Sequence, residues 1–241
     1  MAENNWRELW SGRCADQTIL GSGDIQRIFM ELKRSNGFDV VKDGISYESF
    51  LGQYSELKKR LSLHLPDGEG IRSVYEVGCG SGANLFLFEQ DGTACGGMDY
   101  SPGLLQCAKQ VLRTTDIRCE EACNLSTRTK YDAVISVSVF GYFTDIDYAE
   151  AVLEKMCRKA EHSVGILELA DVEKEAAYTA YRKQIIPDYE QRYRGLPRLF
   201  YSRDFFEAFA LRNNMEIQIC PMHMKDYWNS QFYFDCYLYK R

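Results

Sequence analysis

Three glycines within five residues follow directly on a short apolar run, and this junction constrains the fold more than any other part of the chain. The apolar run is Val74–Val77, the glycines are Gly78, Gly80 and Gly82, and a helix is predicted from Ala83. Glycines at a turn from strand to helix let the backbone approach a ligand closely. The amino end of the helix that follows offers free N–H groups and a partial positive charge to an anionic group. The junction therefore predicts a strand, a loop and a helix that together hold a nucleotide-like cofactor.

Short apolar runs alternate with helix-length amphipathic segments along most of the chain. Seven runs are predicted as strands: Val74–Val77, Ala94–Met98, Ile117–Glu120, Ala133–Val137, Val164–Leu169, Met215–Cys220 and Gln231–Tyr239. Strands that alternate with helices favour βαβ units and a parallel sheet covered by helices on both faces. We therefore expect an α/β, Rossmann-like fold.

The length of 241 residues suits one domain with a modest appendage. Within a single domain spanning 1–241, four parts differ in texture. Residues 1–65 read as helices, 66–170 as the alternating core, 171–200 as an insert rich in tyrosine and arginine, and 201–241 as a helix with two final strands.

Composition excludes several classes of protein. The nine cysteines form no CxxC pair, so we expect reduced thiols and no metal site. The net charge is −6 and no basic cluster is visible, which argues against nucleic acid as a partner. No stretch approaches the ~20 apolar residues of a membrane span, and the polar N-terminus does not resemble a signal peptide. We therefore expect a cytoplasmic protein with no membrane contact.

The glycine loop alone is compatible with two nucleotide cofactors. It fits a relaxed dinucleotide fingerprint, in which it would bind a pyrophosphate, and it could equally bind the methionine carboxylate of S-adenosylmethionine (SAM). Asp99 ends the second predicted strand, where a carboxylate can accept hydrogen bonds from ribose hydroxyls, and this feature is common to both cofactors. A nicotinamide oxidoreductase would, however, continue as a parallel sheet after the fourth strand.

Four segments in order resemble the class I SAM-dependent methyltransferase family, of the type that acts on small molecules. They are Val-Tyr-Glu-Val-Gly-Cys-Gly-Ser-Gly at 74–82, Gly-Met-Asp-Tyr-Ser at 97–101, Glu-Glu-Ala-Cys-Asn-Leu at 120–125 and Tyr-Asp-Ala-Val-Ile-Ser at 131–136. The resemblance implies a mostly parallel seven-stranded sheet with an antiparallel last strand. It also implies that the N-terminal helices and a helical insert after the fifth strand form a lid. SAM would be the cofactor and S-adenosylhomocysteine (SAH) the product.

The same resemblance implies which residues bind the cofactor. Glu76 and the glycine loop would hold the methionine and ribose portions, and Asp99 would bind the ribose hydroxyls. Tyr100 would pack on the adenine, while Glu121 stands where the family usually has aspartate. The cofactor-binding residues implied in this way are Glu76, Gly78, Cys79, Gly80, Asp99, Tyr100, Glu121, Ala122 and Ser136.

An aromatic and basic segment near the N-terminus, Trp6, Trp10 and Arg13, is similar to the segment that some small-molecule methyltransferases fold over SAM. The Arg13 guanidinium could bind the methionine carboxylate through two hydrogen bonds. The alternative is that both tryptophans lie on one helix face and simply pack on the domain.

Residues for the acceptor and for catalysis are fewer. His223 follows the strand Met215–Cys220 and so leaves the sheet at its ligand-binding end, which makes it our candidate general base, although a loop histidine can be merely solvated. Tyr142, Arg194 and Tyr201 are predicted to contact the acceptor, because the segments around them suit a polar or anionic group.

Together these features predict an enzyme that transfers a methyl group from SAM to a small polar acceptor, an oxygen of a sugar or of a related biosynthetic intermediate. N-methylation of a small amine or amino sugar, and a SAM-binding module without catalysis, stay open as alternatives. The chain could also form a homodimer.

Overall fold

The computed structural model describes residues 6–38, 44–65, 69–222 and 224–241. The strands are β1 Ser73–Val77, β2 Ala94–Asp99, β3 Ile117–Cys119, β4 Tyr131–Val137, β5 Ala160–Ala170, β6 Met215–Pro221 and β7 Tyr233–Lys240. The helices are α1 Trp6–Ser11, α2 Gln17–Leu20, α3 Ile25–Ser35, α4 Tyr47–Leu61, α5 Ala83–Gln90, α6 Pro102–Val111, α7 Ile146–Lys159, α8 Glu175–Ile185, α9 Tyr189–Arg192 and α10 Arg203–Arg212.

All seven strands belong to one sheet in the order β3-β2-β1-β4-β5-β7-β6. The first five strands run parallel to one another, whereas β7 runs antiparallel to both β5 and β6. The predicted Rossmann-like, mostly parallel sheet with an antiparallel last strand is confirmed, and all seven strand predictions fall within two residues of the observed bounds except at the start of β5. The sheet order excludes the continued parallel sheet of a nicotinamide enzyme.

Side chains cap the amino ends of several helices, among them α3, α6, α7 and α10, and define where those helices begin. Each side-chain oxygen accepts a hydrogen bond from the N–H group three residues later, which satisfies a donor that the helix itself leaves unpaired. These capping residues are Asp24 for α3, Ser101 for α6, Asp145 for α7 and Ser202 for α10. In α6, Pro102 also occupies the first turn, where the missing N–H has no helical partner to lose.

The core lies on both faces of the sheet. On one face, apolar side chains of α3, α4, α5 and α6 form a cluster that includes Phe29, Leu61 and Phe88. On the other face, α7 and α10 contribute a second cluster that includes Met156 and Phe206. Burial on both faces explains why the central strands read as continuous apolar runs, and it leaves the ends of the strands as the place for polar groups.

Candidate functional site

The glycine loop joins β1 to α5 at the carboxyl edge of the sheet. Gly78, Gly80 and Gly82 have φ values of +77°, +52° and +80°, in the left-handed region that glycine adopts without strain. A Cβ atom on Gly78 would lie only 2.4 Å from a methyl carbon of Val139, so the loop is packed as well as twisted. The two observations together explain why glycine is required at this position.

The N–H groups of the loop donate to the protein itself. Those of Gly78 and Cys79 donate to the carbonyl oxygen of Met98 at 2.8 and 2.9 Å, and that of Gly80 donates to Asp99 Oδ2 at 2.9 Å. Because these N–H groups are already used, the loop offers a ligand few free donors. Its contribution is a backbone surface that a ligand can approach closely.

A cavity of about 310 Å³ lies over this loop. Nine of the predicted site residues line it: Glu76, Gly78, Cys79, Gly80, Asp99, Tyr100, Glu121, Ala122 and Tyr142. They come from the ends of β1 and β2 and from the segments after β3 and β4. The structure thus brings together residues that are up to 66 positions apart in the sequence.

Glu76 is buried at the floor of this cavity and one of its oxygens has no partner. Its Oε1 accepts a hydrogen bond from the Asn84 amide at 2.6 Å, while Oε2 has no hydrogen-bond partner among the described residues. Burial raises the pKa of Glu76 to about 8, against the opposing effects of the Asn84 hydrogen bond and the Lys33 charge. A buried acceptor with an unused oxygen suits a cationic ligand group such as an ammonium.

Asp99 and Tyr100 follow at the end of β2. Asp99 accepts hydrogen bonds from the N–H groups of Gly80 and Ser101, the latter at 2.8 Å. Burial raises the pKa of Asp99, although these hydrogen bonds act in the opposite direction. The guanidinium of Arg7 lies 5.5 Å from the centre of the Tyr100 ring and forms an ion pair with Glu121. Helix α1 therefore covers the same edge of the cavity to which the adenine was assigned.

Asn36, which the sequence analysis missed, completes the glycine loop from outside. It caps the carboxyl end of α3, and its Oδ1 accepts a hydrogen bond from the Ser81 N–H at 2.8 Å. A Cβ atom on Gly80 would lie 2.5 Å from this oxygen. The sequence shows Asn36 only as an ordinary helix-ending residue, so no local signal could have pointed to this contact.

Two predicted cofactor residues lie elsewhere. Ser136 is fully buried in β4 and its hydroxyl donates to the Val77 carbonyl at 2.9 Å, so its role is structural, and Ser138 lines the cavity two residues later. Arg13 donates to the carbonyl oxygens of Ser35 and Arg34 at 2.7 and 2.8 Å, at the end of α3. Arg13 was predicted to bind the methionine carboxylate of SAM. It does not line the first cavity, where that carboxylate is expected.

A second cavity of about 270 Å³ adjoins the first. The two share six lining residues: Trp6, Trp10, Asn36, Phe38, Ser138 and Tyr142. The Tyr142 ring meets Trp6 and Trp10 edge-on, with ring centres 4.7 and 5.5 Å apart. This aromatic wall places Tyr142 between the two cavities, where the prediction of acceptor contact remains open to test.

The other predicted acceptor residues are displaced. Arg194 is exposed and lines neither cavity, whereas Arg198 and Arg182 both line the second one. Tyr201 is fully buried and its hydroxyl donates to the Phe140 carbonyl at 2.9 Å, so its role is to support the segment after β4. The structure therefore places neither residue in the lining of the two cavities, since Arg194 is exposed and Tyr201 lies in the core, and their predicted contact with the acceptor stays a prediction.

His223 lies outside the described residues, so its predicted role as a base stays a prediction. The residues at 226–229 that follow it line the second cavity. Within the described parts of the chain, no group of three or more histidine, cysteine, aspartate or glutamate side chains could hold a metal ion. No helix in those parts is long and apolar enough to cross a membrane.

Comparison with known proteins gives one family match and one curated relative. A family model described as "Methyltransferase domain" matches residues 75–163. The 18S rRNA (guanine-N(7))-methyltransferase bud23 of Schizosaccharomyces pombe is 31% identical over 96 residues. That match covers 39% of this chain and 35% of the relative, so the chain matches about a third of the relative's length.

Solved structures share the fold over most of the chain. The plantazolicin methyltransferase BpumL in complex with SAH matches with a TM-score of 0.62 and 17% identity, over 100% of this chain and 99% of that one. The SAM-bound amino pentose methyltransferase CalS10 of Micromonospora echinaspora matches with a TM-score of 0.60 and 11% identity, over 79% and 91%. At these identities the likeness shows the fold.

Proposed function

We propose, from the membership of this chain in the class I SAM-dependent methyltransferase family, that it transfers a methyl group from SAM to a small polar acceptor. That membership rests on the methyltransferase-domain match at residues 75–163 and on the shared fold. The observation that carries the proposal is the pair of adjoining cavities. One holds the residues expected around SAM, and the other provides a place for an acceptor beside it.

The residues of the first cavity fit SAM. The unpartnered Glu76 Oε2 suits the methionine ammonium, the Asp99 carboxylate suits ribose hydroxyls, and Tyr100 suits the face of the adenine. Glu121 and Ala122 lie in the same lining, where the adenine edge is expected. SAM, when bound, supplies a methyl group that its sulfonium already activates, so the protein has mainly to orient the acceptor and exclude water.

The N-terminal helices and the insert at 171–200 serve as the cover that excludes water. The Trp6 indole N–H donates to the Pro197 carbonyl at 2.6 Å, which joins α1 to this insert. Trp10 and Tyr142 extend the same aromatic wall between the cavities. Large rings that line both cavities keep water from the junction between them, which supports catalysis over a SAM-binding module without an acceptor.

We assign the acceptor as an oxygen nucleophile on a sugar or a related intermediate. Four arginines line the second cavity, Arg13, Arg182, Arg192 and Arg198, against a single described acid, Asp226. This excess of positive charge disfavours a cationic amine, which is the alternative acceptor. His223 is proposed to remove the proton from the hydroxyl group of the acceptor. That the chain forms a homodimer stays a prediction.

An RNA acceptor has less support. The named substrate of the yeast relative belongs to that protein, and the match to it covers only 39% of this chain. The net charge of −6 does not favour a phosphate backbone. RNA is therefore included in the assay below as an outcome that would overturn the small-molecule assignment.

The test is SAM and SAH calorimetry combined with transfer of a labelled methyl group to sugars, sugar acids, sugar phosphates, amines and RNA. We expect both SAM and SAH to bind. Asp99→Asn should weaken SAM binding about tenfold, because a neutral amide is a poorer acceptor for hydroxyl groups than a carboxylate. Asp147→Ala, an exposed acid in α7, is the matched control and should change nothing. Absence of SAM binding would refute the proposal, and binding without transfer to any acceptor would favour the non-catalytic module.

A further inference from the structure

Two arginines of the second cavity, the buried Arg182 and the half-buried Arg198, lie against the same tyrosine. Arg182 is 6% exposed, and its guanidinium carbon lies 5.2 Å from the centre of the Tyr178 ring. The guanidinium carbon of Arg198 lies 5.8 Å from the centre of that ring. Both arginines line the cavity. Two like charges are therefore held close together in a place that water reaches poorly.

Neither arginine forms an ion pair with a carboxylate among the described residues. Arg182 donates to the Tyr178 hydroxyl at 2.8 Å, and Arg198 donates to the hydroxyls of Tyr233 and Tyr142 at 3.3 Å each. The Nε of Arg182 is buried without a described partner. A buried cation that lacks a counter-ion is costly, so this arrangement favours any anion that enters the cavity.

Aromatic rings lie around the Arg182 guanidinium, whose buried Nε has no hydrogen-bond partner among the described residues. Its guanidinium carbon lies 4.5 Å from the centre of the Tyr193 ring and 5.5 Å from that of Trp228. An aromatic ring stabilises a cation that lies over the face of the ring. A carboxylate or phosphoryl group instead binds the edge of the planar guanidinium through its N–H groups. Burial would raise the pKa of Tyr178, but Arg198 and Arg182 outweigh it and the pKa is lowered, as expected in a positive potential.

A second unpartnered atom lies in the same cavity. Asn229 is 3% exposed, and its Nδ2 donates to the hydroxyls of Tyr227 and Tyr233 at 3.1 and 3.4 Å. Its Oδ1 is buried and has no hydrogen-bond donor among the described residues. A ligand hydroxyl could donate a hydrogen bond to this oxygen. The arginines, by contrast, require an acceptor, and an anionic group of the same ligand would supply it.

We propose that the methyl acceptor is a hydroxylated oxyanion, a sugar acid or a sugar phosphate, with its anionic group between Arg182 and Arg198 and a hydroxyl on Asn229. This inference rests on the proposed function, since it identifies the occupant of the acceptor cavity. Arg198 also contacts the Tyr142 ring, 4.9 Å from guanidinium carbon to ring centre. The anion is thus anchored one side chain away from the wall shared with the SAM cavity, which positions the rest of the acceptor towards the methyl group.

The test uses intrinsic fluorescence, because all three tryptophans of the chain, Trp6, Trp10 and Trp228, line this cavity. Glucuronate, glucose 6-phosphate and neutral glucose are titrated into the protein saturated with SAH, at constant ionic strength set with chloride. We expect at least one anionic sugar to bind about tenfold or more tightly than glucose, because hydrogen bonds to charged groups are roughly twice as strong as neutral ones. The tighter of the two anions identifies the group as carboxylate or phosphoryl.

Variants then assign the site. Arg182→Met and Arg198→Met should each abolish the preference for the anion, whereas Arg194→Met, in the same insert but exposed, should retain it. Should either methionine variant fail to fold, Arg182→Lys retains the charge without the planar fork and should weaken the preference. Equal binding of charged and neutral sugars, or an unchanged preference in both methionine variants, overturns the inference. SAM calorimetry on the same samples separates the two proposals, because failure of SAM to bind refutes the proposed function instead.

Discussion

Binding of SAM should release a proton from the floor of its cavity. Burial raises the pKa of Glu76 to about 8, so the carboxyl is mostly protonated at neutral pH in the free protein. A ligand ammonium beside the unpartnered Oε2 favours the charged carboxylate and lowers this pKa on binding. Calorimetry in buffers with different ionisation enthalpies measures the released proton directly, as the slope of the binding heat.

The magnitude follows from the pKa. With a value of about 8, roughly 0.9 of the Glu76 carboxyls carry a proton at pH 7, and SAM should release about that fraction of a proton. The charged form is scarcer at pH 6 than at pH 7, so the Kd should rise between them, by at most about tenfold for the release of one proton. The measurements should stay below about pH 7.5, since an α-ammonium itself titrates near pH 8.

Glu76→Gln tests the assignment of this proton. Its amide oxygen can still accept the hydrogen bond from Asn84, which the carboxylate receives at 2.6 Å. Burial lowers the pKa of Lys33, and its charge acts on Glu76, so the two titrate as a pair. The variant should bind SAM more weakly, with no proton release and no rise in Kd between pH 7 and 6. A wild-type protein whose SAM affinity is flat over this range, or a variant that still releases the proton, would refute the reasoning.

Three further substitutions test how the site is built. Asn36→Ala should lower SAM affinity and cost about 1–3 kcal/mol of unfolding free energy, because the Ser81 N–H loses its acceptor; denaturant unfolding and calorimetry would show it, and an unchanged stability would contradict it. Gly78→Ala should destabilise the protein by more than about 1 kcal/mol, given its φ of +77° and the 2.4 Å approach to Val139, and a wild-type melting temperature would argue against this packing. Tyr201→Phe should cost about 1 kcal/mol with kcat retained, and a selective loss of kcat would restore Tyr201 as an acceptor residue.

The sheet could be predicted from the sequence because each strand carries its own local signal. Buried parallel strands read as continuous apolar runs, and the antiparallel β7, which lies between β5 and β6, is also buried along almost its whole length. The glycine loop fixed one edge as the ligand-binding edge, since the carboxyl ends of parallel strands meet there. Glu76, Asp99 and Tyr100, which the resemblance to class I methyltransferases implied as cofactor residues, line the cavity at that edge.

Some site residues were predicted a few positions away from the residues that line the cavities. These differences occur where the chain leaves a strand or a helix. Ser136 is still inside β4, where alternation directs its hydroxyl to the Val77 carbonyl, and Ser138 reaches the cavity only because the chain takes a φ of +60° there. In the insert, Arg194 and Arg198 are equally plausible by composition. Which of them is buried depends on Tyr142 and Tyr233, from distant parts of the chain, and a single sequence carries no record of that packing.

Two polar residues of the cofactor cavity that the sequence did not reveal, Lys33 and Asn36, come from the first 38 residues, and this has a consequence for the enzyme. Lys33 donates to Asn84 at 2.9 Å, beside Glu76, and Asn36 holds the glycine loop, so α3 supplies part of the cofactor site rather than only a cover. A loop that depends on a contact from another segment is completed only when that segment is in place. The N-terminal helices therefore both build part of the SAM site and cover it, which suits a transfer reaction that must exclude water.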